Sequence, residues 1–556
     1  MTPRSAHRSC ALGFLAALVA SAGCGGGGDN EQVRLKTFAP IGAADALQPL
    51  EIDAIVEAAA RATDAAHVSI AVVDRIGDLL RVWSRNPVDA KSDAIAASLA
   101  RTTAYMSHSQ APLTSRTQQF LNAHHFPATF DASNLGFPDL PAGGDSGPLA
   151  PQRPVSGVRN TGQAPLFLIT YSNRGGTVLG YDPGREIPLL TNPDGSRPTP
   201  GFTPLPGGIP LYKTVAAAGG FDVGRRLVGG VGVYVTDDFG TPLPEVGEFC
   251  ALSGASADLD FTFPVPPEGA VYLGGILLPA FEQTTRPPGY AEGALDGATT
   301  FDGGAGRVDP FDYLIAPRDS ATSTFTADEV RTLVEACVGA ANETHAAIRL
   351  PADSACQMFI TVTDLAGNVL ALFRMTDATL FSLEISLSKA RNAVYYSDAR
   401  SIDFDGPRAG QHPLAGIVPA GTAVTARTLG FLAVPAFPPV IDGNPRGPLR
   451  ELAEFNALPE NFDRMGHAPA GAPGAQSGII FFPGSAPLYR GGVLIGGLGV
   501  SGDGVEQDDL VTALGIQRAQ RALGFTMEAP PEIRCDRFEV DGVKLPYWKF
   551  PQNPGG

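Results

Sequence analysis

Strand-like patterning of apolar residues marks His67–Val73 (HVSIAVV) and Leu79–Ser84 (LLRVWS), with Asp74-Arg75-Ile76-Gly77 between them. Short runs of this kind, joined where Asp and Gly supply a tight reversal, predict a β-hairpin. Helical spacing over Leu50–Ala66 precedes it, and helix-patterned Ser92–Ser107 follows, with Ser92 or Asp93 as cap. The whole order then returns. Ala327–Thr344 reads as a helix opened by Thr326, with Glu329 three residues on, the signature of a capping box. Met358–Thr363 and Val369–Arg374 flank Asp364-Leu365-Ala366-Gly367, and Ser382–Ser397 is again helical in pattern. The two turns and the two helices are related by one offset, since 364−74 and 382−92 are both 290.

Later segments repeat too. Arg116-Thr117, beside the short segment Gln118–Leu121, is echoed by Arg427-Thr428. PGGIPLY (206–212) is echoed by PGSAPLY (483–489), and strand Leu227–Val235 by Val493–Val500. EVGEFCALSG (245–254) matches EQDDLVTALG (506–515) at an offset of 261. Each unit therefore reads as helix, two strands, helix, further strands and a terminal helix. Hairpin-length turns favour an antiparallel sheet with helices packed on it, an α+β layer. We place one domain at 46–255 and a second at 321–525. Gly/Pro-rich insertions are expected at about 127–200 and 436–475. The joining region 256–320 and the tail 526–556 are assigned to neither copy.

Composition adds limits. A chain of 556 residues, 44% hydrophobic and 17% charged, has material for several buried cores. Its 66 Gly and 49 Pro agree with many turns and long loops. A formal charge of −17 argues against nucleic acid or anionic lipid as a partner, because their phosphates would repel it. At the N-terminus, Arg4 and Arg8 precede the apolar run Ala11–Ala20, too short to span a bilayer. Ser21-Ala22-Gly23 then leads to Cys24. Residues 1–24 read as a secretory signal with a lipobox-like site, Ser21 standing where Leu is usual, and 25–45 as a linker. The expected mature protein is exported, periplasmic or at the cell surface, and held to the membrane by a lipid on Cys24 alone; a plain signal peptide is the alternative. Of the remaining cysteines, Cys337 and Cys356 are either a disulfide, which an exported location permits, or buried thiols. No cysteine spacing suits zinc.

These segments resemble the GlcG/HbpS-like haem-binding proteins. The resemblance rests on V-x-D-x-x-G with its strands, on the S-x-x-x-S-x-x-K-A-R-x-A helix, and on F-P-G-x-x-P-L followed by V-x-I-G-G-x-G-V-S-G-x-x-x-E-Q-D. The second copy carries all three, with Lys389, Pro483-Gly484, Ser501-Gly502 and Glu506 to Asp508. The first departs: Leu99 replaces Lys389 and Gly247 replaces Asp508. The resemblance implies two tandem profilin-like domains, a tendency to form homo-oligomers, and haem or a related tetrapyrrole as ligand.

Haem iron takes His, Met, Cys or Tyr as axial ligand. His108, just past the first repeat helix beside Tyr105 and Met106, is the best-placed candidate; its plain alternative is a solvated helix-end histidine. His124 and His125 are adjacent, so at most one could ligate. Tyr395 and Tyr396 hold the corresponding helix end in the second copy, as ligands or as core. Lys389 and Arg391 could meet propionates, or form only a surface charge cluster; Arg427, matched by Arg116, is a further propionate or structural candidate. Pro483-Gly484 would edge the ligand groove, or simply turn the chain into a buried strand. Glu506, Asp508 and Asp509 suit a helix N-terminus. No catalytic constellation stands out. The expected function is haem sequestration, sensing or delivery. A non-catalytic interaction module on the same fold is the alternative, and an enzyme acting on a small organic substrate is a third.

Overall fold

The first hairpin forms where the apolar runs place it. Helix α1 (Pro49–Arg61) leads into β1 (His67–Asp74), which pairs antiparallel with β2 (Leu79–Arg85). Gly77 closes the turn at φ +85°, a conformation open to glycine. Asp74 Oδ1 accepts the backbone N–H groups of Ile76 and Asp78 at 3.1 and 2.9 Å, fixing the reversal from within. Then come α2 (Ala90–Met106), α3 (Ser115–Leu121), β3 (Gly208–Val215), β4 (Gly224–Thr236) and α4 (Pro244–Ala255). The joining region forms β5 (Tyr272–Leu273), β6 (Ile276–Leu277), β7 (Ala298–Asp302) and β8 (Asp312–Ile315). The second half continues with α5 (Ala327–Asn342), β9 (Phe359–Thr363), β10 (Val369–Arg374), α6 (Ser382–Ser397) and α7 (Ala426–Leu432). It ends with α8 (Arg450–Ala457), β11 (Ser485–Arg490), β12 (Val493–Ser501), α9 (Val505–Leu523), β13 (Glu539–Val540) and β14 (Val543–Lys544).

This computed structural model describes residues 42–121, 203–257 and 271–549, apart from 89, 204, 216–223, 274–275, 308–310, 405, 435, 440–443 and 458–477. All lie in one unit, Val33–Gly556. The signal and Cys24, the linker up to residue 41, the 127–200 insertion, and His124 and His125 fall outside the described residues. Among those described, no helix is long and apolar enough to cross a membrane.

Two antiparallel five-stranded sheets share one strand order, β3-β4-β1-β2-β7 and β11-β12-β9-β10-β8. Glycines in β4 and β12 let a helix lie against each sheet. A Cβ at Gly232 would stand 2.8 Å from Leu99 Cβ of α2, and one at Gly499 would stand 2.7 Å from Ala390 N of α6. Only a bare backbone admits that approach.

Two expectations need correction, and one open alternative is decided. First, the joining region and the tail belong to the halves. Strand β7 adds to β2 and β8 adds to β10, completing the two sheets. Hairpins β5–β6 and β13–β14 are equivalents, since 539−272 and 543−276 are both 267. Thr117 Oγ1 donates to Pro279 O at 2.7 Å, and Thr428 Oγ1 donates to Pro546 O at 2.8 Å. Leu278-Pro279 against Leu545-Pro546 was the signal, too short to be seen alone. Second, the 436–475 insertion is not only loop. It contains α8, whose Leu452 and Ala453 pack into the core with Phe437 and Leu449. Of the two alternatives for Cys337 and Cys356, the structure shows free, buried thiols, as it does for Cys250 and Cys535. Burial pushes the Cys337 thiol up to about 12, so it is an unreactive core side chain.

The halves differ at one further point. Ser107 Oγ bonds both backbone groups of Leu113, and Ser397 Oγ those of Val424. The offset thus grows from 397−107 = 290 to 424−113 = 311, so the second half carries 21 extra residues here. Leu414 and Val418 of this insert bury Tyr395 and Tyr396. The first half keeps a short turn, His108 to Ala111, and that turn docks onto the second half.

Candidate functional site

The polar centre of the second half is Lys389. Helix α6 is buried on nearly every side, so its polar residues need internal partners. Lys389 Nζ donates to Val500 O at 2.9 Å and to Asp508 Oδ2 at 2.8 Å, 5.1 Å from the centre of the Phe482 ring. Asp508 lies in the first turn of α9, where the helix end favours a carboxylate. Gly484 shapes the third side. At φ +112° a Cβ there would sit 2.6 Å from Asp508 Cβ and 2.8 Å from Lys389 Nζ. The Pro483-Gly484 turn therefore feeds β11 and also lies directly on the ion pair.

Burial pushes Asp508 up to about 7, with Lys389 opposing, and burial likewise lowers Lys389. Between about 4 and 7 the folded protein holds a proton on Asp508 that the unfolded chain has released. This group thus adds stability as pH falls from about 7 towards 4. Asp508→Asn is expected to reduce that slope by up to about 1.4 kcal/mol per pH unit, measured by urea unfolding across the range. An unchanged slope would remove Asp508 as its source.

In the first half the corresponding side chains are Leu99 and Gly247, both buried and neither charged. What the halves share is an arginine clamp. Arg116 Nε and Nη2 each reach Glu248 at 2.8 Å, and Arg427 Nε reaches Asp509 Oδ2 at 2.5 Å. Asp509 also accepts the backbone N–H of Gly484 at 2.9 Å and of Lys549 at 3.1 Å. The clamp exists where Lys389 has no counterpart, so Arg427 serves the fold, tying α7 to α9 and the C-terminal arm.

Beside the pair is a cavity of about 30 Å³ at the seam between the halves. Met106, Leu113 and Leu121 face Phe381, Ser501 and Asp508 across it. The seam is held by groups that the sequence reading missed. Arg349, fully buried, bonds Asp503 through Nε, Asp377 Oδ2 at 2.6 Å and Asp377 O at 2.7 Å. It also reaches Gln110 Oε1 of the first half at 3.2 Å. Asp377 in turn accepts Ser109 N at 3.0 Å and Ser109 Oγ at 2.8 Å. Burial works against the Asp377 carboxylate, but Arg349 and its cationic neighbours outweigh it and hold the group below its ordinary range.

His108 belongs to this seam. Its Nε2 donates to Ile348 O at 3.1 Å, and its Nδ1 accepts Gln110 N and Ala111 N, both at 3.2 Å. Burial, with Arg349 adding, lowers its pKa well below the usual value, so the ring is neutral. It is no solvated helix-end residue, and neither nitrogen is offered to a metal. Tyr105 and Tyr395 are equally occupied, donating to Ile76 O and Ile402 O at 3.1 Å each. Tyr396 packs edge-on to Tyr395, ring centres 5.0 Å apart. The structure thus joins Lys389, Gly484 and Arg427 in one neighbourhood, and places Tyr395 and Tyr396 in another core. Among the described residues, no group of three or more His, Cys, Asp or Glu is placed to hold a metal ion.

Residues 449–517 match the family described as haem degrading protein HbpS-like. The matched stretch runs from α8 through β11 and β12 into α9, so it contains Gly484, Asp508 and Asp509. No curated protein matches the chain. Among solved structures, a PduOC:heme complex is 21% identical, covering 36% of this chain and 96% of that one, with a TM-score of 0.21. The Klebsiella pneumoniae protein ORFY, of family DUF336, is 19% identical, covering 37% of this chain and 97% of that one, also with a TM-score of 0.21.

Proposed function

We propose that this chain is an exported, lipid-anchored tetrapyrrole-binding protein of two tandem GlcG/HbpS-like, profilin-like domains. It serves sequestration, sensing or delivery of haem. The observation that carries the reading is the HbpS-like match across 449–517. The second half is the binding half in this reading, because the Lys389–Asp508 pair and the Gly484 turn occur there. The ligand's propionates would pair with cations at the edge of this neighbourhood, once the surrounding segments part.

Titration with haemin tests the reading, with the Soret band as readout. A saturable shift at micromolar haemin is expected, and its absence would sink the proposal. His108→Ala belongs beside it. Since His108 bonds only protein groups, the variant is expected to bind haemin within about twofold of wild type. It would lose about 1–3 kcal/mol of stability through unpaired seam groups. A tenfold loss of haemin affinity in folded variant would return His108 to the iron. For the anchor, label from a radioactive fatty acid is expected to vanish in Cys24→Ala; label that persists refutes it.

A second reading, a non-catalytic interaction module, is favoured by the small size of the seam cavity. A cavity of about 30 Å³ is small beside the several hundred typical of organic ligands. The haemin titration separates the two.

A further inference from the structure

The seam joins unlike faces of the two halves. Its hydrogen bonds run between the end of α2 with the turn after it and the loop that follows β10. Phe381 N donates to Tyr105 O at 3.3 Å, Ser109 N to Asp377 Oδ2 at 3.0 Å, and Arg75 Nη2 to Ala378 O at 3.3 Å. Tyr395 is the equivalent of Tyr105, and Val88 that of Ala378, since 395−105 and 378−88 are both 290. These two equivalents do not form a mirrored seam. Tyr395 lies in a core with Leu414 and Val418 of the 21-residue insert, while Val88 is 45% exposed. A contact between unlike faces leaves one of each kind unused. The first half keeps the face that holds Val88, and the second keeps the face covered by the insert.

Both unused faces are built up where the halves differ in length. Gly232 to Gly499 is an offset of 267, whereas Glu245 to Glu506 is 261, so the first half has six extra residues between β4 and α4. They form a rigid turn. Asp237 Oδ1 accepts the backbone N–H of Phe239 at 2.9 Å and of Thr241 at 2.8 Å, and Gly240 takes φ +82°. The turn holds Phe239 out, 93% exposed, and lies against Val88, since a Cβ on Gly240 would stand 3.7 Å from Val88 Cγ1. An aromatic ring displayed on a preorganised turn gives up little freedom when a partner covers it. On the other unused face the insert exposes Ile402 and Phe404. The charges beside the two patches are opposite: Asp238 next to Phe239, and Arg400 two residues before Ile402, both largely exposed.

We propose that copies of this chain associate head to tail, the insert face of one copy, with Ile402 and Arg400, docking on the face of Val88 and Phe239 in the next. The contact pairs the same two kinds of face that the seam already joins inside one chain. It closes into a ring or extends as a filament according to the rotation it imposes. The association rests on the repeat and the seam, so it stands whether or not haemin binds.

Sedimentation velocity of the purified full chain across the micromolar range tests this, and species larger than one chain are expected to grow with concentration. Phe239→Asp and Ile402→Asp should each weaken the association by about tenfold or more, as loss of a central apolar anchor does. Both residues are exposed, so the thermal midpoint of each variant should match wild type; Val88→Asp and Phe404→Asp serve if either variant does not fold. Mixing the two variants decides the arrangement. Each keeps the face that the other has lost, so the mixture should form a one-to-one dimer that neither forms alone and that grows no further. A wild-type chain that stays monomeric overturns the proposal. So does association unchanged in either variant, and so does a mixture that yields no dimer.

Discussion

Arg349→Met is expected to cost about 3–5 kcal/mol, the usual loss when one partner of a buried ion pair is removed. The arginine is fully buried and satisfies two carboxylates on different segments. Without it Asp377 keeps only its bonds from Ser109, and Asp503 keeps only Gln357 N at 2.6 Å. Two buried carboxylates would then stand near each other beside the seam, with no cation between them. They would be forced to take up protons, so the loss shrinks as pH falls. Arg349→Lys should recover less than half of it, because an ammonium cannot reproduce the fork that reaches Asp377, Asp503 and Gln110 together. Urea unfolding gives the magnitude. Hydrogen exchange gives the place: protection should fall first at residues 107–111 and 345–355, where the halves meet. A loss under about 1 kcal/mol would show that the seam does not depend on this charge.

The second large effect is conditional. Lys389→Leu alone should destabilise by about 3–5 kcal/mol, since Asp508 stays buried without its cation. Adding Asp508→Ala should restore stability to within about 1 kcal/mol of wild type, because apolar residues of suitable volume often replace a buried pair at no net cost. The molecule contains the precedent. In the first half Leu99 faces Gly247 on the same helix, strand and turn, and that half folds to the same sheet order. The double-mutant cycle should return a coupling of at least about 3 kcal/mol. A double variant no better than the single one would mean that Lys389 acts through something besides Asp508. Haemin titration of the double variant then separates stability from binding.

Much of this architecture was legible along the chain because its signals are local. Both hairpins, the helices after them and the glycine strands carry a period or a turn residue within ten positions of each other. The unequal pair was legible as well: Leu99 against Lys389, and Gly247 against Asp508. What stayed hidden lacked local pattern. Strands β7 and β8 are short, and β7 is mostly exposed (ATTFD), so neither shows a buried face. The hairpin arms share only a Leu-Pro step and a glycine. His108 was read by its position at a helix end, yet the group that decides its role, Ile348 O, is 240 residues away.

The sequence by itself determined the two main hairpins, the helices that follow them and which half carries charge at the centre, because these follow from periodicity, turn chemistry and residue identity. Only the tertiary structure decided what the polar residues do. It turned His108 from a candidate ligand into a seam contact and, of the two roles open to Arg427, gave it the structural one, a clamp on Asp509. It also brought Arg349, Asp377 and Asp503 together from positions 28 and 154 residues apart. A buried charge takes its meaning from its partner, and partners are chosen by folding across distances that no local pattern records.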